Sequence, residues 1–118
     1  MKELKEILYK VKITKVIGNT SIGVSKLCID SRQIKSNDLF IAIRGNSMDG
    51  HNFINKAIEL GATSIICESI PTDIIDGITY LEVNCSREAL SITSANYFDN
   101  PSNKLKLIGV LVLTEKQQ

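Results

Sequence analysis

The stretch "NDLFIAIRGNSMDGHNFINKAIELGATSIICE" constrains this chain more than any other. Leu39 to Ile43 form an unbroken run of five apolar residues, bounded by Asn37-Asp38 on one side and Gly45 on the other. A strand with no polar face must be covered on both sides. "TSIICE" is a second run of the same kind. Between them, "DGHNFINKAIELGA" places Phe53, Ile54, Ala57, Ile58 and Leu60 on one helical face, with Gly61 as its C-cap. Strand, amphipathic helix and strand in this order form a crossover unit, so the two strands lie parallel.

The remaining chain extends that unit. "KELKEILYKV" spaces Leu4, Ile7, Leu8 and Val11 as an N-terminal amphipathic helix, and "ITKVIG" and "GVSKLCID" read as short strands around the turn "GNTS". These short strands are expected to pair on the edge of the sheet. "GITYLEV" is a further strand. "SREALSITSANYF" is a helix with Ser86 as N-cap and Ala89, Leu90, Ile92, Ala95 and Phe98 turned inward. "DNPS" ends it, and "KLKLIGV" is a last strand. The expected fold is a small α/β sandwich with a mixed, largely parallel sheet flanked by helices.

Composition narrows the function. With 118 residues, 43% apolar and 23% charged, the chain is one globular domain at most. A net charge of +1 with both signs scattered points to no nucleic acid and no membrane as partner. The Lys-rich start contains acidic residues and lacks the apolar run of a signal peptide. Cys28, Cys67 and Cys85 are far apart in apolar or strand-like contexts, which reads as buried free thiols in a reducing cytoplasm. His51, the single histidine, sits beside "DG" at a helix start, where it caps or packs locally. Glu59, Glu68 and Glu82 read as solvated ends of elements. No catalytic constellation and no metal site are visible in residues 1–110.

Two loops follow strand ends. "IDSRQIKSNDLF" carries Asp30, Ser31 and Arg32, and "RGNSMDGH" carries small polar residues. In open α/β sheets ligands dock at the carboxyl ends of strands, where loops offer amides and hydroxyls to a phosphate or a uracil ring. Spacing alone favours ordinary turns rich in Asx and Gly over a ligand site.

As a set, these residues are familiar. The pattern D-S-R, then N-D-L-F-x-A, then G-x-x-x-D-G-H-x-F-I, then A-I-x-x-G-A, followed by "YFDNPSNKLKLIGV", resembles the N-terminal domain of the Mur ligases over residues 1–110. The likeness is to the branch that adds the third amino acid of the peptidoglycan stem peptide; the branch that adds D-alanyl-D-alanine shares part of it. The resemblance implies a cytoplasmic, ATP-dependent, amide-bond-forming ligase of cell-wall synthesis, serving cell shape and division. In that family the N-terminal domain holds the uridine diphosphate end of the substrate, here UDP-N-acetylmuramoyl-L-alanyl-D-glutamate. By resemblance, Ile29 packs on the base or ribose and the Ser31 hydroxyl donates a hydrogen bond, while Asn46, Ser47 and Met48 present amides and side chains. ATP and Mg2+ belong to the intact family and no cofactor is expected in this chain, which is expected to be inactive alone and to bind the precursor weakly. The other readings are a stand-alone nucleotide-sugar-binding or interaction module, and a fragment of the D-alanyl-D-alanine-adding ligase.

The last eight residues, "LVLTEKQQ", depart from the family. There "LIGV" is followed by T-G-T-N-G-K-T-T, a P-loop whose backbone amides and Lys hold ATP phosphates and whose Thr serves Mg2+. Written as ACT GGT ACT AAC GGA AAA ACA ACA and shifted by one nucleotide, that loop becomes CTG GTA CTA ACG GAA AAA CAA CA, which translates as L-V-L-T-E-K-Q-Q once a purine follows. Leu111 to Gln118 are therefore expected to be a frame-shifted relic of the P-loop. Sequencing the gene through codon 111 checks this: restoring one nucleotide should open a frame reading T-G-T-N-G-K-T-T into an ATP-binding domain, and DNA without such a frame sinks the idea.

Overall fold

Alternation along three parallel strands builds the core of this protein, whose structure is a computed structural model that describes residues 2–45 and 49–98. Strand β5 (Leu39–Ile41), β6 (Ser64–Cys67) and β7 (Thr79–Val83) run side by side in the register Phe40↔Ile65↔Tyr80 and Ile41↔Ile66↔Leu81. Successive side chains alternate faces. Leu39, Ile41, Ile66, Leu81 and Val83 pack on one side, against Leu4, Ile7 and Ala89. Phe40, Ala42, Ile65, Cys67 and Tyr80 pack on the other, against Ile34, Ile54 and Ala57. The result is a three-layer α/β sandwich, with α2 (Ile54–Leu60) on one face and α1 (Leu4–Ile7) and α3 (Ser86–Phe98) on the other.

The expected mixed, largely parallel sheet is present, with β2 (Ile13–Ile17) and β4 (Leu27–Cys28) added in the order β2-β7-β6-β5-β4. The short N-terminal strands do lie at edges, but at opposite ones. β2 pairs antiparallel with β7, and β4 pairs parallel with β5. "GVSKLCID" is also not one strand: its first part, β3 (Gly23–Val24), pairs with β1 (Lys2–Glu3) in a separate two-stranded sheet. The chain must leave one edge and cross to the other, and a single straight strand cannot serve both sheets.

Helix packing departs from the expected faces in three places. The N-terminal helix is a single turn, because the backbone enters the left-handed region at Lys10 (φ 69°) to turn into β2. Leu4, Ile7 and Leu8 are buried all the same. In α2, Leu60 is exposed, since Gly61 closes the helix immediately after it. In α3, Ala95 and Phe98 face outward and Thr93 is buried in their place. The Thr93 hydroxyl donates to the Ala89 carbonyl at 2.7 Å, which lets a polar side chain sit inside without an unpaired donor. Asn96 extends the same face, donating to the Ile7 and Tyr9 carbonyls at 2.7 and 2.6 Å and so closing the open end of α1. Cys85, not Ser86, occupies the N-cap position, as its carbonyl accepts the first helical bond, from Ala89.

Of the three thiols only Cys67 is buried; Cys28 is half-buried and Cys85 exposed, all of them free. Burial, with Glu82 nearby, pushes the Cys67 thiol up to about 12, so it behaves as an apolar side chain. No helix among the described residues is long and apolar enough to cross a membrane. The expected strand "KLKLIGV" and residues 111–118 lie outside the described residues.

Gly61 joins the end of α2 to the segment before β5. Its φ is +124°, its carbonyl accepts the Asn37 N–H at 2.9 Å, and a Cβ there would stand 2.8 Å from Ser36 Cα. Gly61→Ala is therefore expected to lower stability by about 1–3 kcal/mol. Equilibrium urea unfolding measures this, and a loss under about 0.5 kcal/mol would show that the turn relaxes freely.

Candidate functional site

The carboxyl ends of β4, β5, β6 and β7 all emerge at one edge of the sheet, because these four strands are mutually parallel. At β4 the chain turns at once. The Asp30 carboxylate accepts the Arg32 N–H at 2.9 Å and the Arg32 guanidinium at 3.1 and 2.9 Å, starting a short 3-10 turn at Ser31–Gln33. Those bonds hold the Asp30 carboxyl below its ordinary range. Cys28 closes the base of the turn, its thiol donating to the Asp30 carbonyl at 3.0 Å. Ile29 is 54% exposed on this turn, an aliphatic surface presented to solvent, whereas Ser31 is buried at 6% exposure. The β4 turn thus offers one apolar contact and only a sliver of its serine.

The second loop leaves β5 beside it. Arg44 and Asp49 form an antiparallel bridge, and the Gly50 N–H donates to the Ile43 carbonyl at 2.8 Å. A Cβ on Gly50 would lie 2.7 Å from the Ile43 nitrogen, so only glycine lets the returning chain lie this close. Asn46, Ser47 and Met48, spanning between these stems, lie outside the described residues. Ile29 and Ser31 therefore share one turn, and the stems of the second loop stand on the adjacent parallel strand.

A polar network lines the same edge, and sequence reasoning missed most of it. Asp49 accepts both the backbone N–H of His51 at 2.9 Å and its ring Nδ1 at 2.7 Å. The other ring nitrogen, Nε2, accepts the Glu68 N–H at 2.8 Å. A backbone amide only donates, so Nε2 carries no proton and Nδ1–H is the donor to Asp49. The Glu68 carboxylate accepts the Ser86 N–H at 2.8 Å, placing a negative charge at the start of α3. Arg44 Nε lies 3.6 Å from Asp49 and 3.8 Å from Glu68, and Arg87 donates to the Arg44 carbonyl at 3.2 Å. His51 does pack locally, as its context suggested. Glu68 and Glu82 are not simply solvated: Glu82 accepts from the Thr14 hydroxyl at 3.3 Å and the Ile70 N–H at 3.4 Å. Glu59 alone of the three is exposed. The signal for Glu68 was its place as the first residue after a buried strand.

Among the described residues no three His, Cys, Asp or Glu side chains converge as metal ligands. A cleft of about 30 Å3 between Val11, Val83, Cys85 and Ala89 has room for a water or two and is far too small for a nucleotide.

Fold and edge together define a small α/β domain whose parallel strands open onto two loops at one edge. Residues 23–105 match the family described as "Mur ligase family, catalytic domain", and the chain belongs to the Mur ligase family. It is 42% identical over 109 residues to the UDP-N-acetylmuramoyl-L-alanyl-D-glutamate--2,6-diaminopimelate ligase of Cytophaga hutchinsonii, covering 92% of this chain and 22% of that protein. The ligase of the same name from Clostridium tetani is 44% identical over 110 residues, covering 92% and 23%. Among solved structures, the UDP-N-acetylmuramoylalanyl-D-glutamyl-2,6-diaminopimelate--D-alanyl-D-alanyl ligase from Acinetobacter baumannii superposes with a TM-score of 0.68 at 23% identity, over 80% of this chain and 21% of that one; this likeness is one of fold. The chain spans about a fifth of the length of the relatives it matches.

The edge has a defined acid limit. Asp49 is held below its ordinary 3.8, first by the backbone N–H of His51 and then by the His51 ring; Asp30 is lowered by Arg32. A carboxyl with a lower pKa folded than unfolded contributes stability that is complete above the unfolded value. That contribution fades as pH falls through the folded value. Carboxyl-carbon NMR titration should thus give midpoints below 3.8 for both residues, with the loop stems loosening only in that acid range. Midpoints at or above 3.8 would show that these hydrogen bonds do not persist in solution.

Proposed function

We propose that this chain is the part of an ATP-dependent, amide-bond-forming ligase of peptidoglycan synthesis that holds the uridine diphosphate end of UDP-N-acetylmuramoyl-L-alanyl-D-glutamate. The observation that carries the reading is the 42% identity across 92% of the chain to a ligase whose name contains that precursor. The relatives matched over 92% of this chain carry the name of a ligase that adds 2,6-diaminopimelate, which favours the branch that adds the third amino acid.

The proposed contacts are Ile29 against the base or ribose, the Ser31 hydroxyl as donor, and Asn46, Ser47 and Met48 as a loop of amides and polar side chains. Exposure of Ile29 and the neighbouring exits of β4 and β5 support that arrangement. We further assign residues 1–110 to the binding domain and Leu111–Gln118 to the frame-shifted P-loop. The sequence has no G-x-x-x-x-G-K-[ST] motif, and the described residues have no cluster of metal ligands, so the residues present do not fit ATP with Mg2+. No step of amide formation is assigned to them. Their role is to bind and orient the substrate's nucleotide.

Affinity should be low. Each hydrogen bond at an open edge is worth about 0.5–1.5 kcal/mol net against water, and association itself has an entropic cost. A handful of such contacts corresponds to a dissociation constant on the order of millimolar. Titrating UDP-N-acetylmuramoyl-L-alanyl-D-glutamate into labelled chain should shift the amides of Ile29, Ser31 and residues 46–48. Silence at those positions at several millimolar would defeat the reading.

A further inference from the structure

We propose that Asp76 is a site of covalent modification: its link to Gly77 converts to isoaspartate, while the fold protects the same dipeptide at Asp49–Gly50. The sequence contains two Asp-Gly pairs, and they differ only in their neighbours until the chain folds. Glycine is the residue that most favours this chemistry, because it has no Cβ to obstruct the approach of its own nitrogen.

The reaction uses only groups of the chain and water. The Gly77 backbone nitrogen attacks Cγ of the protonated Asp76 carboxyl. The nitrogen gives up its proton, the carboxyl gives up its hydroxyl, and the two leave together as one water. The product is a five-membered succinimide ring. Water then adds to either ring carbonyl and breaks its bond to nitrogen. Opening at the former side-chain carbonyl restores aspartate. Opening at the former main-chain carbonyl leaves the chain running through the Asp76 side chain, with the α-carboxylate hanging free. No electrons change hands, and one water leaves for each that enters.

Two conditions decide whether a folded chain permits the attack: a nitrogen free of hydrogen bonds, and a peptide able to rotate toward the carboxyl. Asp76–Gly77 meets both. The two residues are exposed, in the turn before β7 that is closed by the Ile78 N–H donating to the Ile75 carbonyl at 3.3 Å. Among the described residues the Gly77 N–H donates to no backbone carbonyl, and Asp76 joins no ion pair. Gly77 has φ +88°, and a Cβ there would meet nothing within 4 Å, so its peptide has open space in which to turn. Asp49–Gly50 meets neither condition. The Gly50 N–H donates to the Ile43 carbonyl at 2.8 Å, and a Cβ on Gly50 would lie 2.7 Å from the Ile43 nitrogen. The Asp49 carboxylate is occupied by the His51 N–H at 2.9 Å and the His51 ring at 2.7 Å. Attack at Asp49 therefore waits for all three bonds to open together.

Isoaspartate adds one methylene to the main chain next to Ile75, whose N–H donates to the hydroxyl of the buried Tyr80. Ageing the full 118-residue chain near neutral pH, and locating isoaspartate by electron-transfer mass spectrometry, tests the proposal. In the folded chain the product should accumulate at Asp76 about tenfold faster than at Asp49, or faster still, as expected when three hydrogen bonds must open at the slower site. In urea, where neither pair keeps its native surroundings, the two rates should agree within about threefold. Asp76→Glu, whose longer side chain cannot close a five-membered ring, should abolish the product there and leave the slow rate at Asp49 unchanged. Equal rates at the two positions in the folded chain would overturn the proposal. So would a folded chain without isoaspartate at Asp76. A difference of the same size in urea would also sink it, because neighbouring residues and not the fold would then set the rates.

Discussion

Double-sided burial of three parallel strands is the constraint on which the rest of this structure depends. β5, β6 and β7 present apolar side chains to both faces, so each face must be covered, and the helices on the two sides follow from that. Parallel pairing also sends every carboxyl end to the same edge, where the candidate site lies. The same burial makes Cys67 an inert thiol and places on polar groups drawn inside a requirement for partners that the Ser64 and Ser86 hydroxyls, among the described residues, do not meet. Tyr80, fully buried, meets that requirement by accepting the Ile75 N–H at 3.1 Å. Thr79 does so by donating to the Asn19 carbonyl at 2.7 Å, which also pins the turn after β2 to the sheet.

At the opposite end of the strands a second charged group is handled differently. Asp38 is 1% exposed and accepts the Lys35 N–H at 2.7 Å and the ammonium of Lys26. Lys26 belongs to the connection between β3 and β4, and its pairing joins the edge strand to the start of β5. At the ligand edge the charges are more open: Arg44, Asp49 and Glu68 stand at 3.6–3.8 Å rather than in close pairs. Surface pairs at such distances contribute little by themselves. The hydrogen bonds through His51 and to the start of α3 are the stronger ties there, since they are short and partly enclosed.

The chain corresponds to about a fifth of its relatives, and the proposed division of labour gives this part binding and leaves chemistry to the remainder. A shelf that only binds has few constraints besides shape and exposed donors. That is why its side chains look like ordinary turn residues when taken one at a time.

Much of the fold was legible from hydrophobic pattern alone, because period and burial are local properties. The five-residue run from Leu39, the amphipathic stretch around Ile54 and Ala57, and the run ending in Cys67 each specify an element and its degree of cover. The loops carrying Ile29 and Ser31 were legible as strand exits for the same reason. What the pattern could not contain was the partner of each edge: which side β2 and β4 would take, and that "GVSKLCID" would divide between two sheets, depend on contacts between residues distant in sequence. The face of α3 was likewise decided by tertiary contacts. Asn96 ties this face to the Ile7 carbonyl at the end of α1 and to the Tyr9 carbonyl in the turn beyond it, and the Thr93 hydroxyl is accommodated inside by a carbonyl of its own helix. The link from His51 to Glu68 spans 17 residues and was invisible for the same physical reason: a hydrogen bond is specified by the direction and distance of two groups, and only the folded sheet supplies both.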